Sequence, residues 1–454
     1  MNTSSRAFQE YQKENPYPLS FFSFRMEGDP PVEDKEERYY SRKGYAARLV
    51  HATLRKSGFV ETETLLKGNL IYGGPLDSTT YAKLKPYQRL THYNKTFSLG
   101  SKSGYHHVMT NFAERTGSFP SFYPQSFLLP NEWEQLEKAF PTSELWISKP
   151  GGGARGEGIH VIRDLPKKSS KCIIQRYISN PMLINGLKFD LRFYVAVTSL
   201  DPLQIYIHKN GLVRLATEKY EENVEDIDNV SAHLTNFSIN RHNPLFKATD
   251  DLSEDGKGNK WTHNPFWPYL DEHGYDSNKV RSQIEDAIVT VLIASRETFM
   301  SQNNHRLSFE MFGFDVMLDS DGNPYVLEVN VTPALGTSSK LDMYVKAPVV
   351  RDLFNIGMIP KPSEAVPTVH DLITKFEPEN AAEIAVIYEY EITLQRCGDF
   401  RCVFPVRERI ESHGSLLKQP TKADIALQKW ILMSEDEKSQ YLQENGKYFQ
   451  EILE

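Results

Sequence analysis

The segment from Phe314 to Asn330 constrains this chain most. Phe314-Asp315-Val-Met-Leu runs into a short turn at Asp319 to Asn323, and Tyr325-Val-Leu-Glu328-Val-Asn330 runs out of it. Two strands joined so tightly form a hairpin, and alternate side chains of a strand share a face. Leu327 and Val329 are therefore expected on an apolar face, with Glu328 and Asn330 opposite. Asp315, Glu328 and Asn330 become a cluster of hard oxygen donors, which suits Mg²⁺, an ion that usually keeps substrate phosphates among its ligands. The alternative is an ordinary hairpin whose carboxylates face solvent.

A second charged strand sharpens the choice. In Gly186-Leu-Lys188-Phe-Asp190-Leu-Arg192-Phe-Tyr194, the residues Lys188, Asp190, Arg192 and Tyr194 alternate onto one face. Such a face is a poor core and a good surface for a polar ligand. Upstream, Lys149-Pro-Gly-Gly-Gly-Ala-Arg155-Gly156-Glu-Gly158 follows an apolar strand. Its glycines allow backbone N–H groups to approach phosphate oxygens, with Lys149 and Arg155 bracketing them. It is neither a Walker A loop nor a dinucleotide fingerprint, and a flexible hairpin is the competing reading. Gln175-Arg176-Tyr177-Ile178, Arg214 and Asn236 add polar groups in strand or loop contexts, and each could singly be a surface residue.

Composition sets the outer bounds. The 454 residues, 39% hydrophobic and 25% charged, suffice for two or three domains with real cores. Met1 to Arg6 leads into polar sequence rather than a signal peptide, and no apolar run approaches the roughly 18 residues that span a bilayer. The expectation is an intracellular protein with no membrane partner. Cys172, Cys397 and Cys402 offer neither a disulfide framework nor zinc spacing. The net charge of −8 argues against a nucleic-acid binder. Positive charge gathers locally at Lys83, Lys85, Arg89, Lys95 and Lys102, and at Lys167, Lys168, Lys171 and Arg176, which could attract an acidic partner or simply form a solvated face.

The pattern along the chain predicts an α/β fold. Residues 1–110 read as a small N-terminal α/β domain. Strands are expected at Leu145 to Ser148, Ile159 to Ile162, Cys172 to Ile178, Phe189 to Thr198 and Leu203 to His208. The polar stretch Asp250 to Lys260 reads as a surface loop that could serve as a lid, and Lys279 to Met300 as a helix packed on the sheet. Ala381 to Arg396 and Ala423 to Leu453 read as helices of a partly exposed extension.

In order, Lys149, the Gly loop, Gln175-Arg-Tyr-Ile, Lys188-Phe-Asp-Leu-Arg, His233-Leu-Thr-Asn, Asp315 and Glu328-Val-Asn330 resemble the ATP-grasp fold of the tubulin tyrosine ligase-like family over about residues 85–360. The strings QRYISNPMLINGLKFDLRFYVAVTSLDPLQIYIHKNGLVRLA and YVLEVNVTPALGTSSKLDMYVKAPVVRDLFN are most similar to its glutamylating branch, as is RCGDFRCVFP further on. The resemblance implies a central subdomain at 111–200 with the phosphate loop, a C-terminal ATP-grasp subdomain at 201–360 with the Mg²⁺ site, and a helical extension at 361–454 that could contact tubulin or microtubules.

It further implies an ATP-dependent ligase that joins free L-glutamate to the γ-carboxylate of a glutamate in a tubulin C-terminal tail through an acyl phosphate. ATP would be held by Lys102, Lys149, Arg155, Gly156, Gly158, Lys188 and Asn236, with Gln175, Arg176, Tyr177 and Ile178 at the adenine and Asp190 near the ribose. Mg²⁺ would be bound by Asp315, Glu328 and Asn330. Arg192 and Arg214 would hold the acyl phosphate and the tetrahedral intermediate, with Glu328 as a catalytic metal ligand. Arg155 would pair with a carboxylate of the incoming glutamate. The family often shows Asn-His-Phe-Pro-Gly and Arg-Lys where this chain has Thr91-His92-Tyr93-Asn94-Lys95 and Ser101-Lys102, a departure that bears on Lys102. The aliphatic Val331, where some elongating members carry His, favours branch initiation. A monomer of the cytoplasm and cytoskeleton, with cilium or basal body as finer sites, completes the expectation. Glycine or tyrosine ligation, a non-tubulin acidic acceptor, and an inactive microtubule-binding protein are the alternatives.

Overall fold

The computed structural model describes residues 3–16, 20–33, 36–140, 144–151, 157–220, 235, 243–246, 251–300, 307–361 and 379–453. Three sheets organise these residues. The first is parallel, with β1 (Tyr39–Lys43), β2 (Val60–Glu61), β3 (Leu70–Gly73) and β4 (Arg89–Leu90) in the order β2-β1-β3-β4. The second is antiparallel, with β5 (Ser126–Leu128), β6 (Trp146–Pro150), β7 (His160–Ile162) and β8 (Cys172–Arg176) in the order β5-β8-β6-β7. Its β6–β7 connection carries the glycine-rich segment.

The third sheet holds β9 (Leu183–Ile184), β10 (Leu187–Leu200), β11 (Leu203–His208), β12 (Leu212–Lys219), β13 (Lys260–Thr262), β14 (Glu310–Leu318), β15 (Pro324–Asn330) and β16 (Phe400–Phe404). Its axis is β10, which pairs with β12 and then β11 along its length and with β14 as well. Strict alternation along β10 separates two cores. Phe189, Leu191, Phe193 and Val195 pack with Ile284, Ile288, Val291 and Leu292 of helix Ser277–Met300. Tyr194 and Ala196 pack with Val345, Val349 and Leu353 of helix Lys340–Ile356. Each fully buried side chain of this size contributes about 1.5–3 kcal/mol, so helices on both faces hold the sheet as the middle layer of an α/β/α sandwich.

The hairpin forms with its turn where the sequence places it. Asp319 Oδ1 accepts from the backbone N–H groups of Asp321 and Asn323 at 3.0 and 2.8 Å, and Gly322 adopts a φ of +82° that favours glycine. One expectation is corrected. The β14–β15 register pairs Asp315 with Glu328 but Val316 with Val326, so Leu327 is an extra residue, a β-bulge. Val326 rather than Leu327 joins Val329 in the core.

The C-terminal region is helical as expected but adds a strand to the partly exposed extension. β16 adds to the third sheet beside β11, and helix Glu379–Arg396 is buried along Ile384, Ala385, Ile387 and Tyr388. The single helix expected from Ala423 to Leu453 divides into Lys422–Leu432 and Glu435–Leu453. The break falls where Ser434 bonds the Glu437 backbone and side chain, capping the second helix. Among the described residues no helix is long and apolar enough to cross a membrane.

Candidate active site

The pairing of β10 with its two neighbours builds the charged centre directly. Asp190 lies opposite Arg214 on β12, and Arg192 opposite Asp315 on β14. The Arg214 guanidinium donates to both Asp190 oxygens at 2.6 and 2.8 Å and lies 3.0 Å from Asp315 Oδ2. Arg192 donates to both Asp315 oxygens at 2.5 and 2.9 Å, and the Thr235 hydroxyl donates to Asp190. Asp190, Arg192 and Asp315 are buried. The four residues form an alternating chain of two guanidiniums and two carboxylates, the arrangement that makes burial of charge tolerable.

Electrostatics follow from that order. Burial alone would raise the Asp315 pKa, but Arg192 and Arg214 outweigh it and hold the carboxyl well below the usual carboxylate range. Burial opposes the charge on both arginines, and the carboxylates reverse this: Asp315 raises Arg192, while Asp190 and then Asp315 raise Arg214.

Glu328 has less compensation, since the pull of Lys102 and Arg192 does not outweigh what opposes its charge. Burial first, and the Asp315 charge second, push its pKa up. Asn330 Nδ2 donates to Asp315 Oδ2 at 3.2 Å and to Glu328 Oε1 at 3.3 Å, bridging the pair. Two carboxylates in contact, one of them short of positive charge, beside a carboxamide, are a hard-oxygen set that fits a divalent cation such as Mg²⁺.

Lys102, Lys149, Gln175, Leu327 and Glu328 line one small cavity. Lys149 Nζ donates to Gln175 Oε1 at 2.6 Å, and Gln175 Nε2 donates to Ser126 Oγ at 2.8 Å, so the amide aims the lysine. Lys102 opens the helix Lys102–Thr116, whose cap Ser101 accepts from Gly104 N. That places an ammonium and a helix N-terminus, both favourable to anions, at the cavity. Lys188 donates to Tyr177 OH at 3.0 Å, with Nζ 4.4 Å from the ring centroid. Burial first lowers Lys188 to about 7, with Lys149 adding to the effect. Burial likewise lowers Lys149 to about 8, Glu328 pulling it up and Lys102 pushing it down.

Other expected site residues do not line this small cavity. Arg176 is exposed and paired with Glu144. Ile178 is buried. Gly158 has a φ of +70° and no room for a Cβ, which would lie 2.9 Å from Pro150 Cγ, so its role is to close the β6–β7 connection. Arg155, Gly156 and Asn236 lie outside the described residues.

Sequence reasoning missed one buried cluster beside the arginines. Asp342 lies 2.7 Å from Lys260 Nζ and 2.8 Å from Lys346 Nζ, and Lys346 also donates to Gly336 O at 2.6 Å. Burial lowers Lys346 to about 8, against the pull of Asp342. The only local signal was the i, i+4 spacing of Asp342 and Lys346, which ordinarily marks an exposed helix pair. Lys260 comes from the end of the segment read as a lid, where it begins β13 opposite Arg214.

Gly313 fixes how close Arg192 can approach β14. A Cβ there would lie 2.8 Å from Pro333 Cβ and 3.2 Å from Arg192 Cδ. Gly313→Ala is expected to destabilise by about 1–3 kcal/mol through overpacking and to lower activity by displacing Arg192. Denaturant midpoints and initial rates check this, and a fully active variant of unchanged midpoint would show that the Pro333 segment simply gives way.

Comparison with known proteins places this geometry. The profile of the tubulin-tyrosine ligase family matches residues 80–366. The chain is 38% identical over 355 residues to the human protein named tubulin monoglutamylase TTLL4, covering 76% of this chain and 29% of that protein. It is 31% identical over 438 residues to tubulin polyglutamylase ttll-4 of Caenorhabditis briggsae, covering 86% and 72% respectively. Human tubulin polyglutamylase TTLL5 is 34% identical over 326 residues, 68% of this chain and 25% of that one. The chain thus spans under a third of the human relatives and most of the nematode one.

Proposed function

The chain belongs to the tubulin-tyrosine ligase family, and from that premise we infer that it is an ATP-dependent carboxylate–amine ligase of ATP-grasp architecture that adds glutamate to glutamate side chains in tubulin C-terminal tails. The observation that carries the reading is the convergence of Lys102, Lys149 and Glu328 on one cavity, next to the Asp315, Arg192 and Arg214 chain. Lysines that hold a polyphosphate, oxygens that hold a cation and arginines that stabilise an oxyanion are what carboxylate activation requires.

In this reading the acceptor's γ-carboxylate attacks the terminal phosphate of ATP, giving an acyl phosphate and ADP. The amino group of free glutamate then attacks the acyl carbon, losing a proton, and phosphate leaves as the isopeptide bond forms. Mg²⁺, when bound by Asp315, Glu328 and Asn330, supplies neutralisation of the transferring phosphoryl group. Lys149 and Lys188 hold the nucleotide phosphates with Lys102 at the helix end, while Gln175 to Ile178 border the base and Asp190 the ribose. Arg192 and Arg214 are preorganised by their carboxylates and present fixed positive charge to the acyl phosphate and tetrahedral oxyanion. Arg155 takes a carboxylate of the incoming amino acid in bidentate fashion. The name monoglutamylase carried by a relative supports branch initiation, and the tubulin in the relatives' names supports a cytoskeletal setting, within which a cilium or basal body is the finer site in this reading.

The depressed lysines make nucleotide binding pH-dependent. A polyphosphate favours the ammonium form, so above about pH 7–8 binding must take up protons. ATP affinity is expected to be level below that window and to fall above it by up to about tenfold per pH unit for each lysine involved. Nucleotide titrations from about pH 6.5 to pH 9 test this; a flat profile would mean that the lysines are already charged in the free protein.

The deciding experiment is intact-mass spectrometry of microtubules incubated with the chain, ATP, Mg²⁺ and glutamate, glycine or tyrosine in turn. Glutamate-sized additions are expected. Glycine or tyrosine additions would overturn the amino acid, and no addition to tubulin would overturn the acceptor or the ligase reading itself.

A further inference from the structure

Three residues that the ligase chemistry does not use converge beside the third sheet, His208 and Asp352 buried and Asp399 half-buried. His208 ends β11, Asp352 belongs to the helix Lys340–Ile356, and Asp399 sits in the turn that leads into β16. One ligand atom from each lies within 4.8 Å of the others. The chain folds tightly to achieve this. Asp399 N donates to Asp352 Oδ2 at 2.9 Å. Gly398 between Cys397 and Asp399 has a φ of +56°, and a Cβ on it would come within 2.5 Å of both Asp352 carboxylate oxygens.

The histidine supplies the independent observation. His208 is 3% exposed, and its Nε2 is buried with no hydrogen-bond partner, pointing toward Asp352 Oδ2 at 3.9 Å. The other ring nitrogen, Nδ1, lies 3.3 Å from the Asn210 backbone N–H, from which it can accept, and 3.0 Å from the Asn210 carbonyl oxygen, to which it donates when it carries the hydrogen. Nε2 then presents a lone pair to a carboxylate, two acceptors facing each other. In the other tautomer Nδ1 accepts from the Asn210 N–H, but the Nε2–H finds Asp352 Oδ2, at 3.9 Å, too far away for a bond. Neither state satisfies the ring in protein contacts alone.

A cation between Nε2 and the carboxylates satisfies every atom. A ligating imidazole ordinarily donates its other N–H to a backbone carbonyl or carboxylate, as Nδ1 does here. One nitrogen and carboxylate oxygens suit Zn²⁺ at about 2.0–2.2 Å, for which tetrahedral ligand atoms stand roughly 3.4 Å apart. The 3.9 Å separation closes to that with a shift of about half an ångström. Lys209 at 2.7 Å from Asp399 Oδ1 and Arg351 at 2.6 Å from Asp352 Oδ1 face the cluster from outside and leave one oxygen of each carboxylate toward the histidine.

We propose that His208, Asp352 and Asp399 form a structural zinc site, distinct from the Asp315–Glu328–Asn330 set, that clamps the 397–399 turn and β16 onto the body of the fold. Water completes the coordination. The clamp joins three segments far apart in sequence, so metal binding and docking of the C-terminal strand are one equilibrium.

The test uses the full chain, stripped with a chelator, loaded with Zn²⁺ in excess Mg²⁺ and desalted, with metal counted by mass spectrometry. Co²⁺ substitution gives a visible ligand-field spectrum as a second readout. One tightly held zinc per chain is expected, with the thermal midpoint raised by zinc. His208→Asn and Asp399→Asn are expected to weaken binding at least about a hundredfold and to abolish the zinc-dependent rise, while Glu328→Gln keeps both. Circular dichroism confirms that the variants are folded, and Asp399→Asn, nearly isosteric, keeps the test meaningful if His208→Asn is not. No retained zinc in the parent chain, zinc retained by both folded variants, or zinc lost only with Glu328→Gln would each overturn the proposal.

Discussion

Glu328→Gln is expected to lower ATP-dependent amino-acid incorporation by about a hundred- to a thousandfold, the range seen when one stabilising group is removed from a preorganised site, while leaving the fold intact. The two halves of this expectation have one cause. Glu328 is half-buried against Asp315, and desolvation and the Asp315 charge both raise its pKa. Its ionised form therefore costs stability above the ordinary carboxylate range. Glutamine removes that cost, keeps the shape, and still offers an oxygen to Asn330 Nδ2, now 3.3 Å from Oε1. What it cannot offer is the second negative charge that draws a divalent cation. Thermal midpoints should be unchanged or slightly raised as mass additions disappear. Activity within tenfold of the parent would remove Glu328 from the cation site, and a collapsed midpoint would make its role structural.

The largest stability effect is expected at Arg214. Arg214→Ala takes one guanidinium from between Asp190 and Asp315 and leaves buried Asp190 with the Thr235 hydroxyl in place of a guanidinium and Asp315 with Arg192 as its one guanidinium partner, a loss of about 3–5 kcal/mol for a broken buried pair. Arg214→Lys supplies charge without the two-pronged geometry and should recover only part of it. The sign with pH is fixed by Asp315, whose pKa is depressed in the folded protein by Arg192 and Arg214 against burial. A depressed carboxyl contributes stability that is present above the unfolded pKa, about 3.9, and is lost as pH falls below it. Removing Arg214 removes part of that contribution. The deficit of the variant should therefore be largest at neutral pH and shrink below about pH 4. Urea midpoints of parent and variant at both pH values measure it, and an equal deficit at the two would show that packing, not charge, is what Arg214 supplies.

How much of this was legible follows from the range of each signal. The hairpin and the charged face of β10 were readable because strand alternation is a property of neighbours two apart, and Asp190, Arg192, Asp315, Glu328 and Asn330 all lie where that period puts them. Leu327 defeated the same rule. A bulge is set by how β15 meets β14, and nothing within β15 announces it. Lys260 and Lys346 were passed over because a lysine in a polar loop and a lysine spaced for a surface ion pair are ordinary; only the fold buries them on Asp342. The C-terminal region read as helical because helical periodicity dominates it, while β16 is five residues long and owes its strand state to β11.

By itself, then, the sequence determined the periodicities: which stretches alternate, which wind, where the Asp319–Asn323 turn falls, and which carboxylates and arginines share a face. Tertiary structure decided what those faces meet. Asp190 finds Arg214, Arg192 finds Asp315, and His208 finds Asp352 and Asp399 through pairings that span tens to hundreds of residues. The protonation of Lys149, Lys188 and Glu328 was decided there too, because a pKa answers to burial and to neighbouring charge, and both exist only once the sheets have assembled.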